Sequence, residues 1–219
     1  MTLQDEWNKL IPIDTQRLYQ HYDTTPKLGD KPAVVLVDLY TSAYEDGNEW
    51  SYSSWAHKAV EPIQKLIQMA RTYNWPVVWF TRGWPHLATN SLKRHPQRTK
   101  AELMRLYQIY KAFHPLESDI QICKIGSSGF WQTDLRLQLE LQHIDSLVYA
   151  GQSTSGCVRA AVTDGFNWDY RQLLVEECCF EANQISRAIN LWDMHHKYAP
   201  VVSINDVTQL WLKRHKNEG

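Results

Sequence analysis

No apolar run in this 219-residue sequence approaches the ~20 residues needed to cross a bilayer. The opening stretch, MTLQDEWNKL, is charged early and has no apolar leader segment. Neither charge sign is in excess: 23 Lys and Arg against 24 Asp and Glu leave a net charge of −1. That balance argues against a nucleic acid or an anionic membrane as partner. Cysteine is scarce. Cys123, Cys157, Cys178 and Cys179 fit neither a zinc site nor a disulfide framework, and a bridge between the neighbours Cys178 and Cys179 would be strained. Four reduced thiols in a cytoplasmic protein are therefore expected. There is no HExxH, and the adjacent His195 and His196 point to different helix faces. No internal repeat, low-complexity tract or linker interrupts the chain, and its length suits one domain with a sizeable core.

What is present is a regular alternation. PAVVLVD (Pro32 to Asp38) is a short continuous apolar run of the kind found in strands buried on both faces. WPVVWFT (75–81), DIQICK (119–124), SLVYAG (146–151), RQLLVEE (171–177) and PVVSI (200–204) read as further strands. Between them lie helical patterns: from Glu61 with Pro62 in its first turn, at about 100–111, from Gly156 to about Trp168, from Asn183 to Lys197, and from Asp206 to Lys213. A short helix is expected around Leu10 to Tyr22. TDLRLQLELQHID is ambiguous. Leu135, Leu137, Leu139 and Leu141 alternate as in a strand, but the strong helix formers and the Thr133 N-cap favour a helix. Alternating strands and helices predict an α/β fold, an about six-stranded parallel sheet with helices on both faces. Residues 1–30 read as an N-terminal arm and 31–219 as the domain. The ten tryptophans belong mostly to the core, with some free to line pockets or subunit contacts.

In open α/β sheets ligands bind beyond the carboxyl ends of the strands. Asp38 ends the first strand, Thr81 and Arg82 the second, Lys124 the third, and GQSTSGC the fourth. Singly these are weak signals, since strand-end Asp is commonly a turn residue and strand-end Lys a solvated charge. Together they form a chemistry. A thiol at a helix N-terminus beside a cation has its pKa lowered, which predicts Cys157 as a nucleophile with Lys124 as the cation. Asp38 would take the thiol proton and return it to a leaving amine. Gly151 and Gly156 permit a sharp turn, and the N–H groups there suit a developing oxyanion. A serine nucleophile is less well supported: GQSTS lacks the second Gly of a nucleophile elbow, and no His partner is evident.

These pieces resemble a known family. VVLVD, VVWFTRG, Lys124 with Ser128, Gly129 and Phe130, TDL, GQSTSGCVRAAVTDG and NLWDMHHKYAPVVSINDV are similar to the cysteine hydrolases of the isochorismatase-like superfamily. Within it they lie near the branch holding N-carbamoylsarcosine amidase and maleamate amidohydrolase. The resemblance covers about Lys31 to Val207. It implies a triad of Asp38, Lys124 and Cys157, and a cis peptide between Gln152 and Ser153. It further implies an oxyanion hole of the Ser153 and Cys157 N–H groups, and a dimer or tetramer. Metal-dependent relatives carry an Asp and His pair after the second strand. Thr81, Arg82, Gly83 and Trp84 stand there instead, so neither metal nor other cofactor is expected. Tyr44, Trp84, Phe130 and Thr154 are pocket candidates, the aromatics equally suited to core packing. The branch's carboxylate-binding Arg after strand five aligns with Ala182, and Arg187, one turn on, is either its substitute or a surface ion pair. The expected activity is hydrolysis of a C–N bond in a small linear amide or N-carbamoyl compound through a thioester. The alternative is a binding or thiol redox-sensing protein on the same scaffold.

Overall fold

The computed structural model of the protein describes residues 2–47, 51–83 and 96–215. Its six strands are β1 (Pro32–Val37), β2 (Val77–Thr81), β3 (Ile120–Cys123), β4 (Ser146–Gly151), β5 (Arg171–Cys179) and β6 (Val201–Val202). They form one sheet in the order β3-β2-β1-β4-β5-β6, and every pairing is parallel. The helices are α1 (Leu3–Leu10), α2 (Ile13–Leu18), α3 (Thr41–Tyr44), α4 (Ser53–Thr72), α5 (Lys100–Leu106), α6 (Leu135–Leu141), α7 (Arg159–Asn167), α8 (Gln184–Lys197) and α9 (Ile204–His215). A single π turn, Thr154–Val158, precedes α7. Two hydrophobic clusters, one on each face of the sheet, make the core. All six residues of β1 are buried, as are all six of β4, which explains why these runs carry no polar alternation.

Several boundaries differ from the sequence reading. The helix expected around Leu10 to Tyr22 is the shorter α2, and α1 precedes it where none was expected. Pro12 caps α2, and α1 starts from a capping box in which Thr2 and Asp5 exchange hydrogen bonds. Leu3, Trp7 and Ile11 from this segment are buried, and Trp7 Nε1 donates to Ala188 O of α8 at 2.9 Å. The helix expected from Glu61 begins eight residues earlier, with Pro62 inside it. The helix begun at Lys100 ends at Leu106, because Tyr110 N–H turns back to Leu39 O at 2.8 Å. The ambiguous leucine run is the helix α6. Leu135 and Leu139, one turn apart, are buried, while Leu137 and Leu141 face solvent. β5 runs two residues beyond its expected end, carrying Cys178 and Cys179 into the core. All four cysteines are free. Among the described residues no helix is long and apolar enough to cross a membrane.

One packing detail has a pH consequence. His195 Nδ1 accepts the Val201 N–H at 2.9 Å, so the ring is held neutral at that nitrogen. Burial, and His196 beside it, push its pKa down to about 4. An unfolded His takes up its proton near pH 6.5, whereas the folded ring resists until about 4. Stability present above pH 6.5 is therefore lost as pH falls toward 4, by up to about 2–3 kcal/mol, lessened by the ring's partial exposure. Urea unfolding at pH 7.5 and 5 should show this loss, and His195→Gln should flatten it. An unchanged pH slope in that variant would refute the assignment.

Candidate active site

The chain order reverses at β1. β2 and β3 are laid down on one side of it, and β4, β5 and β6 on the other. The crevice between the carboxyl ends of β1 and β4 is thus the topological switch point, where α/β sheets place their ligands. Three features hold this crevice together. Gly151, at the end of β4, has φ +121°, and a Cβ there would lie 2.0 Å from Val37 O. Only glycine lets the two strands close at this point. Gln152 N–H donates to Val37 O at 2.9 Å, and Gln152 Nε2 donates to Asp38 O at 2.5 Å. Asp38 itself takes φ 52°, a left-handed conformation that aspartate tolerates better than most residues.

Asp38, Lys124 and Cys157 meet here. Lys124 follows β3, two strands from β1, a separation of about 10 Å that a long side chain bridges. Its N–H donates to Thr81 O at 2.9 Å, which anchors the backbone. Its ammonium, fully buried, lies 3.0 Å from Asp38 Oδ2 and donates to Cys157 Sγ at 3.4 Å and to Gly126 O at 3.2 Å. Three bonds account for the three protons of a lysine head group. Asp38 Oδ1 is buried and accepts no hydrogen bond among the described residues.

The loop carrying Cys157 has a cis peptide between Gln152 and Ser153, as the resemblance implied. Its backbone donors can be accounted for one by one. Thr154 N–H donates to Phe180 O at 3.2 Å and Ser155 N–H to Glu181 Oε2 at 3.1 Å. Gly156 and Val158 N–H both donate to Ser153 O. The N–H groups of Ser153 and Cys157 are the two that these bonds leave over. Cys157 sits in the π turn, ahead of α7 rather than at its first residue.

The thiol's electrostatics correct one expectation. Burial and the Asp38 carboxylate push the Cys157 pKa up, and Lys124 and Arg82 only partly offset them. The sequence pointed to a lowered pKa because it showed the cation without showing the burial. Burial thus favours the protonated sulfur over a thiolate. Cys178 and Cys179 are sealed in the core, and burial raises both thiols, Cys179 to about 12.

Of the pocket candidates, Tyr44 is buried in an aromatic cluster, its ring stacked on Tyr110 at 4.1 Å. Phe130 is buried in the cluster against which Cys157 packs. Thr154 is fully buried, and its hydroxyl donates to Phe180 O at 3.1 Å. Trp84 lies outside the described residues. Arg187 donates to Cys179 O at 2.9 Å and Glu176 O at 2.6 Å and lies 3.7 Å from Glu6. It therefore ties α8 to β5. Four residues near the triad had no role in the sequence reading. Tyr40, Tyr52 and Arg82 are partly or fully buried and feel the charges of Asp38 and Cys157. Glu181 accepts the N–H and hydroxyl of Ser155. Arg82 was visible as a strand-end cation. Tyr52 and Glu181 carried no local signal, because only the fold brings them to the β4 loop. Among the described residues no group of three or more His, Cys, Asp or Glu is placed to hold a metal.

Comparison with known proteins places this geometry in context. The isochorismatase domain family matches residues 32–206. Maleamate amidohydrolase of Pseudomonas putida is 30% identical over 186 residues, covering 83% of this chain and 87% of that protein. N-carbamoylsarcosine amidase of an Arthrobacter species is 26% identical over 189 residues, covering 83% of this chain and 71% of that one. The crystal structure of N-carbamoylsarcosine amidase from Thermoplasma acidophilum superposes with a TM-score of 0.66 at 25% identity, over 80% of this chain and 96% of that one.

Proposed function

The chain belongs to the isochorismatase domain family, and from that premise we propose that it is a cysteine-dependent amidohydrolase cleaving the C–N bond of a small linear amide or N-carbamoyl compound. One observation carries the reading: a fully buried ammonium touching both a carboxylate, at 3.0 Å, and a cysteine sulfur, at 3.4 Å, at the sheet's switch point. A buried charge pair of this kind contributes little net stability, so its arrangement around a thiol favours a chemical role. The amide chemistry in the names of the relatives agrees with it.

The steps follow from the geometry. Lys124 occupies Asp38 Oδ2, which leaves Oδ1 to take the Cys157 proton as the sulfur attacks the carbonyl carbon. The Ser153 and Cys157 N–H groups donate to the oxyanion that forms. As the C–N bond breaks, Asp38 gives its proton to the departing nitrogen, and ammonia or an amine leaves. Water then attacks the thioester, losing a proton to Asp38, and the C–S bond breaks to release the acid and restore the thiol. Lys124 stabilises negative charge first on the carboxylate and then on the sulfur. The raised thiol pKa counts against a redox sensor, since sensor cysteines are low-pKa thiols.

The test is ammonia release by the purified protein across primary amides, half-amides of short dicarboxylic acids and N-carbamoyl amino acids. Turnover of at least one class is expected, with a transient acyl adduct on Cys157 in acid-quenched intact mass spectra. Release without any adduct, from a protein whose Cys157 has been fully alkylated, would overturn the mechanism.

A further inference from the structure

Past its cis peptide, the loop carrying Cys157 is hydrogen-bonded to two neighbouring residues that follow β5. Phe180 O accepts the Thr154 N–H at 3.2 Å and the Thr154 hydroxyl at 3.1 Å. The Glu181 carboxylate takes the next residue. Its Oε2 accepts the Ser155 N–H at 3.1 Å and the Ser155 hydroxyl at 2.6 Å, and its Oε1 accepts the Ala182 N–H at 3.0 Å. The Glu181 carbonyl in turn accepts Gln184 Nε2 at 2.9 Å, which ties it to the start of α8. Glu181 is 7% exposed, so three neutral donors hold a buried charge. Such donors offset the cost of burying a carboxylate only in part. Ser155 does not require it. That residue is exposed, and water would serve its N–H and hydroxyl. What a carboxylate bound at both oxygens adds is a fixed direction.

The direction matters because of where Ser155 lies. It stands two residues after Ser153 and two before Cys157, whose N–H groups are the pair left over for an oxyanion. The two halves of the turn also press on each other. Ser153 O accepts the Gly156 and Val158 N–H groups, and a Cβ at Gly156 would lie 2.6 Å from Ser153 Oγ. A shift of Ser155 therefore carries to both donors. Glu181 reaches the crevice electrostatically as well. Burial and the Glu181 charge push the Tyr52 phenol up to about 12, and the same phenol feels Cys157.

We infer that Glu181 is a positioning residue, whose carboxylate holds Ser155 so that the Ser153 and Cys157 N–H groups converge on one oxyanion. This rests on the amide-cleaving reading above and names the residue that aligns its donors. Such donors act only where they meet the oxygen as its charge develops. A misplacement of about 1 Å is enough to cost roughly 100-fold in rate.

The experiment begins with whichever amide or N-carbamoyl compound the wild type turns over. Glu181→Ala should lower kcat by roughly 10- to 100-fold and leave KM within roughly threefold. Glu181→Gln keeps an oxygen for Ser155 but turns its NH2 toward the Ala182 N–H, so it should recover part of the loss. A second measurement needs no turnover. Propanal, butanal and benzaldehyde serve as probes: the Cys157 sulfur bonds to the carbonyl carbon, the C=O π bond opens, the thiol proton passes to Asp38, and the oxygen is left as an anion between the two N–H groups. The Kd of the aldehyde adduct should rise roughly 10- to 100-fold in Glu181→Ala. Iodoacetamide labelling displaces iodide and forms no oxyanion, so its rate at Cys157 should change by less than roughly threefold. Ser155→Ala, at an exposed position the fold tolerates, loses the hydroxyl bond and should weaken the adduct by roughly two- to tenfold. Adduct affinity unchanged in both Ala variants, or reduced no more than the labelling rate, would overturn the inference and leave Glu181 a structural residue. A turnover loss confined to KM would do the same, as would a wild type that forms no adduct with any of the three aldehydes. A wild type that forms the adduct but releases no ammonia would sink the amidase alone, and the aldehyde comparison would still decide the role of Glu181.

Discussion

Cys157→Ala is expected to lower ammonia release by roughly 10⁴-fold or more, with the protein still folded. Loss of a nucleophile removes the covalent route altogether, and what remains is the background from positioned donors. The fold should tolerate the change. The sulfur is partly buried and its described polar contact is the 3.4 Å bond from Lys124, which keeps Asp38 and Gly126 O as partners. The melting temperature and the circular dichroism spectrum should stay close to those of the wild type. The acyl adduct should vanish from quenched mass spectra. Near-normal turnover in this variant would mean that sulfur is not the attacking atom, and the mechanism would fall with it.

Lys124→Met should be the most destabilising of the triad substitutions, by about 3–5 kcal/mol. It replaces a fully buried ammonium with a neutral side chain and leaves Asp38, 6% exposed, as an uncompensated buried carboxylate. Activity should fall by at least roughly 10³-fold as well, since neither the carboxylate nor the developing thiolate keeps its cation. The stability loss and the activity loss are separable. Asp38→Asn combined with Lys124→Met removes both charges and should recover much of the stability while remaining inactive. Urea unfolding of the two single variants and the double variant, set beside their ammonia release, measures this. Equal stability of Lys124→Met and wild type would show that the pair is not the buried, coupled unit described here.

The two predictions draw differently on what was legible beforehand. That Asp38, Lys124 and Cys157 end three different strands could be read from local pattern, because each follows a short apolar run at a turn-forming break. That they touch could not. Contact depends on β1 lying between β2 and β4, and on a lysine long enough to cross β2. The direction of the Cys157 pKa shift was misjudged for a related reason. A neighbouring cation can be inferred from residue types, whereas the burial that outweighs it exists only after packing. α1 was missed although its capping box is plain in Thr2 and Asp5, because a polar, mixed segment gives weak periodicity. The leucine run of α6 showed the reverse problem. Its period-two pattern suggested a strand, and the burial of Leu135 and Leu139 on one helical face shows why helix propensity prevailed.

The sequence alone determined the alternation of buried strands and amphipathic helices, and with it a parallel α/β sheet, because hydrophobic periodicity acts over a few residues and needs no knowledge of neighbours. It also determined the chemical inventory at the strand ends. The tertiary structure decided what that inventory does. Strand order joined an acid, an ammonium and a thiol drawn from distant parts of the chain, and fastened Arg187 to the backbone of β5. Such assignments rest on distances between side chains that are far apart along the chain, and those distances are set by packing rather than by local composition.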